Sequence, residues 1–453
     1  MKKLIIALAC LLLVGAAAAY WFFHRDSDKA RDVLPEDATA VAVLEPAELI
    51  QGLGLKQDKL MKLFVNFEDL IEALDLAKPV YAFSTEKGVT GITLNIKDAD
   101  KLLKTISSYG IESEEHGGLQ WLASSGGIGC MDRDKVLLCD ASSSTAPDAL
   151  RDEMAKLMSQ DRKEVEALDK ASKQDGVFRM STPLGGIPEQ YARQLPAGVS
   201  DAILNAALQI GKKDISLSAN LTTDFSSLPL APIKGSLAGI GPEKPFLWVC
   251  FNMNGERLLP LLREVPQLRS ILLALNMNVD VDMMLKAING DVSIAVPKLD
   301  LQRPDFILTA SLANTDFLKN AGDWSMVRKV GANDFAFEYE GLRAFFGVRG
   351  NMLYMASNDK MAQNAFAQAP KDAFQSAAKG KYLCASLNIG QVIDAYPGLA
   401  ILLRTMPQVR DLADAFDRVS LTADSPHSLE LSIETRKPVK DIISSLLTLV
   451  TGE

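Results

Sequence analysis

The 453-residue chain has few of the side chains that carry most protein chemistry. It contains three histidines and five cysteines, and it has no CxxC motif, no HExxH motif and no spaced Cys/His set. Histidine is the usual proton carrier and metal ligand near neutral pH, and zinc sites need such spaced ligands. We therefore expect no metal, no cofactor and no disulfide scaffold, so the core must supply the stability.

The chain also lacks clusters of basic residues. Its formal net charge is −9, and its basic residues form nothing longer than an isolated pair such as Lys212-Lys213. Nucleic-acid binding depends on concentrated positive charge, so we expect no nucleic-acid partner. Hydrophobic residues make up 48% of the sequence. This is enough for two cores of ordinary size.

One long apolar run is present, at the N-terminus. Lys2 and Lys3 precede an uncharged run over residues 4–23. As a helix this run would span about 30 Å, the thickness of the hydrocarbon core of a membrane. Positive residues favour the cytoplasmic side. The sequence thus predicts a signal anchor, a transmembrane helix over residues 1–25, with a cytoplasmic N-terminus and an ectodomain in the periplasm.

A cleaved signal peptide is the alternative for the same run. Ala17 and Ala19 are small residues that suit cleavage after Ala19. The apolar run continues, however, from Tyr20 to Phe23, and this aromatic group suits the membrane interface. Both interpretations predict export, and we favour the anchor, through which the membrane becomes a partner.

The exported part shows an internal duplication at a spacing of roughly 200 residues. Each half opens with a short apolar strand that leads into an amphipathic helix, and five further matches follow in the same order. The six matches begin at Thr39 and Pro245, Ile71 and Leu285, Gly91 and Ile307, Leu119 and Phe337, Gly176 and Lys381, and Ile215 and Leu429.

The matched segments read mainly as hairpins with helices at intervals, which favours antiparallel α+β domains over parallel α/β ones. The clearest match, from Leu119 and Phe337, predicts β-meanders with turns near Asp134 and at Gly350-Asn351. We predict a first α+β repeat over residues 33–222, a Pro/Gly/Ser-rich linker over 223–245 and a second repeat over 246–437. A C-terminal helix over 438–453 completes the chain.

Two phrases in this layout carry a family resemblance: LPEDATAVAVLE over residues 34–45, after the basic and apolar N-terminus, and INGDVSIAV over residues 288–296. With them the chain resembles an uncharacterised family of exported Bacteroidales-type proteins, of the domain of unknown function 4836 type. The resemblance covers most of the chain. It implies an envelope location and a duplicated α+β fold, and it brings no known activity and no catalytic residues.

Catalytic sets in the sequence have simpler explanations. Asp98 with Asp100 and Asp280 with Asp282 are pairs of acids, as glycoside hydrolysis needs, but helix capping and solvated faces explain them more simply. S-x-x-K occurs over residues 84–87 and 357–360, in stretches that look like turns and without the partner motifs of penicillin-binding enzymes. We assign no catalytic, cofactor-binding or metal-binding residue.

Cys130 and Cys139 flank the first predicted meander turn. If Asp134-Lys135 is a two-residue loop, the two cysteines face each other across the hairpin and a disulfide is geometrically feasible. Aligning the two halves on Gly129 and Gly347 instead moves the turn and takes the cysteines out of register. Two buried thiols are therefore the alternative, and we expect Cys250 and Cys384 to be core thiols.

We expect a non-enzymatic, membrane-tethered envelope protein whose ectodomain binds an unknown envelope protein or ligand, for example in a groove between its halves. One alternative is an envelope hydrolase whose acids and serines converge in three dimensions. Another is a structural or oligomerisation module. A deep pocket with two carboxylates or a Ser–Lys pair favours the hydrolase, a shallow apolar groove favours binding, and large apolar patches favour oligomerisation.

Overall fold

The computed structural model describes residues 28–55, 68–124, 127–140, 147–186, 202–223, 229–237, 244–298, 305–339, 342–367, 373–391 and 414–451. The chain divides into two compact units. The first comprises residues 1–223 and 437–453, and the second comprises residues 224–436. Both units contain helices and antiparallel strands, so the predicted α+β class is confirmed.

The first unit is built around antiparallel strands with helices between them. Its strands are β1 (Ala38–Leu44), β2 (Val80–Thr85), β3 (Thr90–Asn95), β4 (Glu112–His116), β5 (Leu119–Ser124), β6 (Gly127–Met131), β7 (Lys135–Asp140), β8 (Phe178–Pro183), β9 (Ile203–Ile210) and β10 (Asp214–Leu221). Its helices are α1 (Lys29–Asp32), α2 (Pro46–Leu53), α3 (Glu68–Ala73), α4 (Ala99–Ser108), α5 (Pro147–Ser159) and α6 (Glu166–Ser172). The strands pair in the order β4-β5-β6-β7-β3-β2-β1-β8-β9-β10.

The second unit follows the same plan. Its strands are β11 (Leu230–Ala231), β12 (Leu247–Asn254), β13 (Ile288–Val296), β14 (Ile307–Leu312), β15 (Val327–Lys329), β16 (Asp334–Tyr339), β17 (Leu342–Arg349), β18 (Met352–Ala356), β19 (Leu383–Asn388), β20 (Phe416–Ala423) and β21 (Ser428–Thr435). Its helices are α7 (Gly255–Glu264), α8 (Pro266–Asn276), α9 (Val281–Ala287), α10 (Asp359–Gln363) and α11 (Ala373–Ser376). A last helix, α12 (Val439–Thr451), belongs to the first unit.

The strand pairings of the second unit repeat those of the first. Apart from the short β11, which pairs with the end of β12, the order is β15-β16-β17-β18-β14-β13-β12-β19-β20-β21. Position by position, this is the order found in the first unit. The six segments matched by sequence lie on strands that hold the same place in the two orders.

In each unit the sheet carries a core on both faces. In the first unit, Met154 of α5 and Leu168 of α6 pack in one cluster, and Ile71 of α3 and Leu102 of α4 pack in the other. In the second unit, Ala362 of α10 lies in one cluster and Met284 of α9 in the other. Buried apolar area on two faces is the main source of stability for such a layered domain.

A polar contact fixes the segment before the first strand of the first unit. The hydroxyl of Tyr81 and the amide of Asn95 both donate to the carboxylate of Asp28, the latter over 2.9 Å. The Asn95 amide oxygen also accepts from the Ala30 backbone N–H over 3.1 Å. These bonds hold α1 over the sheet, where Leu34 is fully buried.

In the second unit, Asp291 holds the segment before β12 by hydrogen bonds. Its carboxylate accepts from the backbone N–H groups of Lys234 and Ser236, over 2.8 and 2.9 Å, and from the side chains of Ser236 and Asn252, each over 2.8 Å. Asp291 lies opposite Asn252 as Tyr81 lies opposite Val43. Tyr81 and Asp291 therefore occupy equivalent positions in the two units. Each forms hydrogen bonds to the segment that precedes the first long strand of its unit.

Three predicted segments lie outside the two predicted repeats: the linker, the C-terminal helix and the anchor. Part of the predicted linker packs into the second unit, where Ile233 and Leu237 are buried. The C-terminal helix contacts α2, and the Val439 N–H donates to the Lys212 carbonyl over 2.9 Å. The predicted anchor, residues 1–25, lies outside the described residues. Within the part of the chain that is described, no helix is both long and apolar enough to cross a membrane.

Candidate functional site: an apolar helix of the second unit

Three helices connect β12 to β13, and local sequence explains where each begins. Asn254 follows β12, and its side-chain oxygen accepts from the Arg257 N–H over 3.0 Å, which caps α7. Pro266 begins α8, where its missing N–H costs nothing and its fixed φ suits the first helical turn. Asp280 caps α9 by accepting from the Met283 N–H over 2.9 Å.

Few contacts hold α8 in place. Asp282 exchanges two hydrogen bonds with Asn276 at the end of α8, over 2.9 and 3.1 Å, and it also forms an ion pair with Arg263 of α7. Leu272 is the large side chain that α8 buries, with 9% of its surface exposed. The helix is therefore attached at one end and along one narrow line.

The rest of α8 exposes large apolar side chains. Leu268, Ile271 and Leu275 are 39%, 55% and 43% exposed. Their i, i+3, i+7 spacing places them on one face of the helix, and we call these three residues the α8 stripe. Leu273 and Met277 are also exposed, on the opposite side of the helix from the stripe, and Arg269 is the single charged residue of α8. A solvated helix normally shows charged residues on such a face, so the stripe is an unusual apolar surface for an exposed helix.

An open groove of about 440 Å³ lies between α7 and α8. Pro260, Leu272 and Leu273 form its apolar wall, and Arg263, Glu264 and Arg269 stand at the groove as polar groups. One carboxylate beside two guanidinium groups does not make a general acid and base pair, which needs two groups with separated pKa values. The groove thus combines an apolar wall with charged groups of both signs.

The predicted carboxylate pairs serve local structure. Asp98 caps α4 by accepting from the Lys101 N–H over 2.9 Å. Asp280 caps α9, and Asp282 forms the hydrogen bonds to Asn276 of α8 described above. Asp98, Asp280 and Asp282 therefore each hold a structural contact.

The two S-x-x-K stretches are likewise held in other contacts. Ser357 donates to the Asp305 carboxylate over 3.1 Å and accepts from the Phe306 N–H over 3.0 Å. The amino group of Lys87 lies 3.7 Å from a carboxylate oxygen of Asp37. Within the described ranges, no group of three or more His, Cys, Asp or Glu side chains is placed to hold a metal ion.

The turn between β6 and β7 differs from the two-residue loop considered from the sequence. Met131 pairs with Val136, and the Asp132 N–H donates to the Lys135 carbonyl over 3.1 Å, so the loop is Arg133-Asp134. The Asp132 carboxylate also accepts from the N–H groups of Asp134 and Lys135. Cys130 then lies opposite Leu137, and Cys139 lies opposite Ile128. Both cysteines are buried free thiols in the structure, two positions out of register.

The α8 stripe was not recognised in the sequence. The segment PQLRSILLALN places Leu, Ile or Ala at every position from 271 to 275, so no single buried face stands out. The available signal was the composition itself: apolar residues around a whole short helix exceed what one core contact can cover.

Comparisons with known proteins give a family and no function. Residues 224–437 match the family model described as "Domain of unknown function (DUF4836)". Crystal form IV of TP0453 is 12% identical with a TM-score of 0.32, covering 43% of this chain and 81% of that chain. Crystal form I is also 12% identical, with a TM-score of 0.31 and coverages of 44% and 82%. No curated protein matches the sequence.

Proposed function

We propose, for a chain whose second unit belongs to the DUF4836 family, a non-enzymatic function as a tethered binding and assembly module. Residues 1–25 anchor it in the membrane, or are removed as a signal peptide, and the two units lie in the periplasm. The two units are copies of one duplicated domain, which their shared strand order supports. The second unit acts by docking its α8 stripe against the same stripe of a second copy.

The exposure of the α8 stripe is the observation that carries this proposal. Leu268 precedes Ile271 by three residues and Leu275 follows it by four, so the stripe is nearly symmetric about its centre. Two copies packed antiparallel about a two-fold axis place Leu268 of one against Leu275 of the other. A self-complementary stripe of this kind suits a symmetric pair better than an unrelated partner.

The free energies involved indicate that two copies associate weakly and that their association depends on the membrane anchor. Complete burial of a Leu or Ile side chain contributes about 1.5–3 kcal/mol, and these side chains are about half exposed to begin with. Three side chains from each copy thus supply on the order of 6 kcal/mol. Association costs about 4–15 kcal/mol, so free copies pair weakly. Confinement of both copies to one membrane raises their effective concentration and favours pairing.

Engineered cross-linking of the full-length protein in membranes tests this function. An Ile271→Cys variant places two thiols at the two-fold axis, so mild oxidation should convert it to a covalent dimer. Ser270→Cys is the matched control, since it is also exposed on the same helix but points away from the stripe. A strong dimer band for Ile271→Cys and a much weaker one for Ser270→Cys is expected.

Equal cross-linking of the two variants would show collision without a specific interface and would overturn the proposal. A further measurement identifies the bilayer as the partner instead. If Ile271→Glu leaves the size of the detergent-solubilised protein unchanged but abolishes flotation of the ectodomain with phosphatidylcholine vesicles, α8 binds lipid and the paired arrangement is wrong.

A further inference from the structure

Two other cysteines of the chain face each other directly. Cys250 of β12 is paired with Cys384 of β19 in the antiparallel register. Opposed residues in such a ladder have Cα atoms about 4.5–5.5 Å apart, and disulfides span Cα distances of about 4.4–6.8 Å. Opposed residues also project from the same face of the sheet. The backbone therefore already has the geometry that a disulfide needs.

The surroundings of this pair are closed to solvent. Cys250 is fully buried, Cys384 is 1% exposed, and both belong to the same core cluster as Trp248 and Ala295. Both are free thiols in the structure. A covalent link between them would join two adjacent central strands, β12 and β19, whose sequences lie far apart in the chain.

The cysteines of the first unit provide a built-in contrast. Cys130 and Cys139 are also buried and also lie on adjacent strands, but each faces a different residue. Diagonal neighbours in an antiparallel ladder are about 7–8 Å apart, which is beyond the reach of a disulfide without backbone movement. The two cysteine pairs are therefore equally buried and differ in the register of their strands.

We propose that Cys250 and Cys384 form a disulfide across β12 and β19 in the mature protein, whereas Cys130 and Cys139 stay reduced. The proposal rests on the proposed export, because disulfides persist in oxidising compartments. The oxidant is a protein or small molecule that itself carries a disulfide. One thiolate attacks it to form a mixed disulfide, the second thiolate displaces it, and the oxidant leaves as two thiols with the two electrons.

Burial determines when this exchange takes place. Burial raises the pKa of Cys250 to about 12 and that of Cys384 to about 11. The thiolate is the attacking species, so the folded core holds almost no reactive form at neutral pH. The disulfide must therefore close while the second unit folds, before Trp248 and its neighbours cover the two sulfurs.

Differential alkylation of the full-length protein isolated from membranes tests the assignment. The protein is denatured in acid, its free thiols are blocked with one reagent, and the remaining thiols are labelled with a second reagent after reduction. Mass spectrometry should find the first label on Cys130 and Cys139 and the second on Cys250 and Cys384. A first label on all four cysteines, or a second label on Cys130 and Cys139, contradicts the proposal.

Refolding in vitro separates failure of the disulfide from failure of the proposed export. The denatured full chain is refolded with oxidised glutathione, and the same labels are read. If Cys250 and Cys384 link here but are free in the isolated protein, the predicted location is wrong and the geometry stands. If they stay free in both, the disulfide is wrong.

Stability provides a second readout. Reductant should lower the melting temperature of the oxidised wild type and of a Cys130→Ser, Cys139→Ser variant by the same amount. It should leave a Cys250→Ser, Cys384→Ser variant unchanged. An unchanged melting temperature of the wild type on reduction would overturn the proposal, since a cross-link that closes a long loop destabilises the unfolded chain.

Discussion

At the scale of single residues, Asp291 shows how one side chain can hold a whole segment. Burial by itself raises the pKa of Asp291, but the hydrogen bonds from Lys234, Ser236 and Asn252 outweigh it and the net pKa is lowered. A lowered pKa means that the ionised carboxylate stabilises the folded state. The charge thus helps to fix residues 233–237 on the sheet.

Asp291→Asn should make the second unit less stable in a pH-dependent way. The amide keeps the shape but presents N–H groups to backbone donors, so we expect a loss of about 2 kcal/mol at pH 7. The carboxylate's contribution is present above its unfolded pKa of about 3.9 and is lost as the pH falls through its lower folded value. The difference from wild type should therefore shrink below pH 4 in chemical unfolding. A constant difference down to pH 2 would contradict this account.

The cysteines show what single residues reveal without a structure. Their number, their burial and the absence of a disulfide scaffold follow from composition and apolar neighbours. The register does not, because a turn that lies one residue earlier, at Arg133-Asp134 instead of Asp134-Lys135, shifts the pairing of the two strands by two positions. The direct pairing of Cys250 with Cys384 depends on two strands that are remote in sequence, and local patterns hold no information about it.

At the scale of elements, α7 and α9 meet where a glycine permits close approach. A Cβ added at Gly255 would lie 1.9 Å from the Leu285 carbonyl oxygen. Gly255 is the first residue of α7, and Leu285 lies in the last turn of α9. The contact sets the spacing of the helices that support α8.

Gly255→Ala should therefore destabilise the second unit by about 1–3 kcal/mol, because the backbones must separate. Gly322→Ala is the matched control in the same unit, since a Cβ there meets nothing within 4 Å. Urea unfolding followed by tryptophan fluorescence compares the two variants. Equal midpoints for Gly255→Ala and Gly322→Ala would show that the helices adjust without cost.

Elements were predicted best where a local signal is strong. The Gly350-Asn351 turn forms between Arg349 and Met352, and the φ angle of Gly350 is 62°. Glycine adopts this conformation without strain. The charged segment that follows β7 forms two helices, α5 and α6. The break falls at residues 160–165, where the partly buried amide of Gln160 donates to the carbonyls of Asp32 and Leu34. That tertiary contact cannot be read from helical periodicity.

At the scale of the whole molecule, α12 joins the end of the chain to its first unit. Val439 and Ile442 are 2% and 4% exposed, and α12 packs against α2. The shared strand order of the two units could be predicted, because segments of similar pattern recur in the same order in the sequence. The return of the last helix to the first unit was not, because an apolar helix does not specify which core receives it.

Ile442→Ala should loosen the first unit and leave the second unchanged. Removal of a buried isoleucine side chain costs about 2–4 kcal/mol, whereas Ile443→Ala at the next, half-buried position should cost less. Hydrogen exchange read by mass spectrometry assigns the effect to peptides of each unit. Faster exchange in β20 and β21, with β9 and β10 unaffected, would contradict the assignment of α12.

The return of α12 also has a consequence for biosynthesis. Segments on both sides of residues 224–436 belong to the first unit, so the second unit is an insertion within it. A ribosome or translocation channel delivers residues 224–436 before residues 437–453. The second unit can therefore fold before α12, which belongs to the first unit, has been synthesised. Chains that stall near the end would carry a complete second unit and an incomplete first unit, and proteases that cleave unfolded segments would act on the first unit before the second.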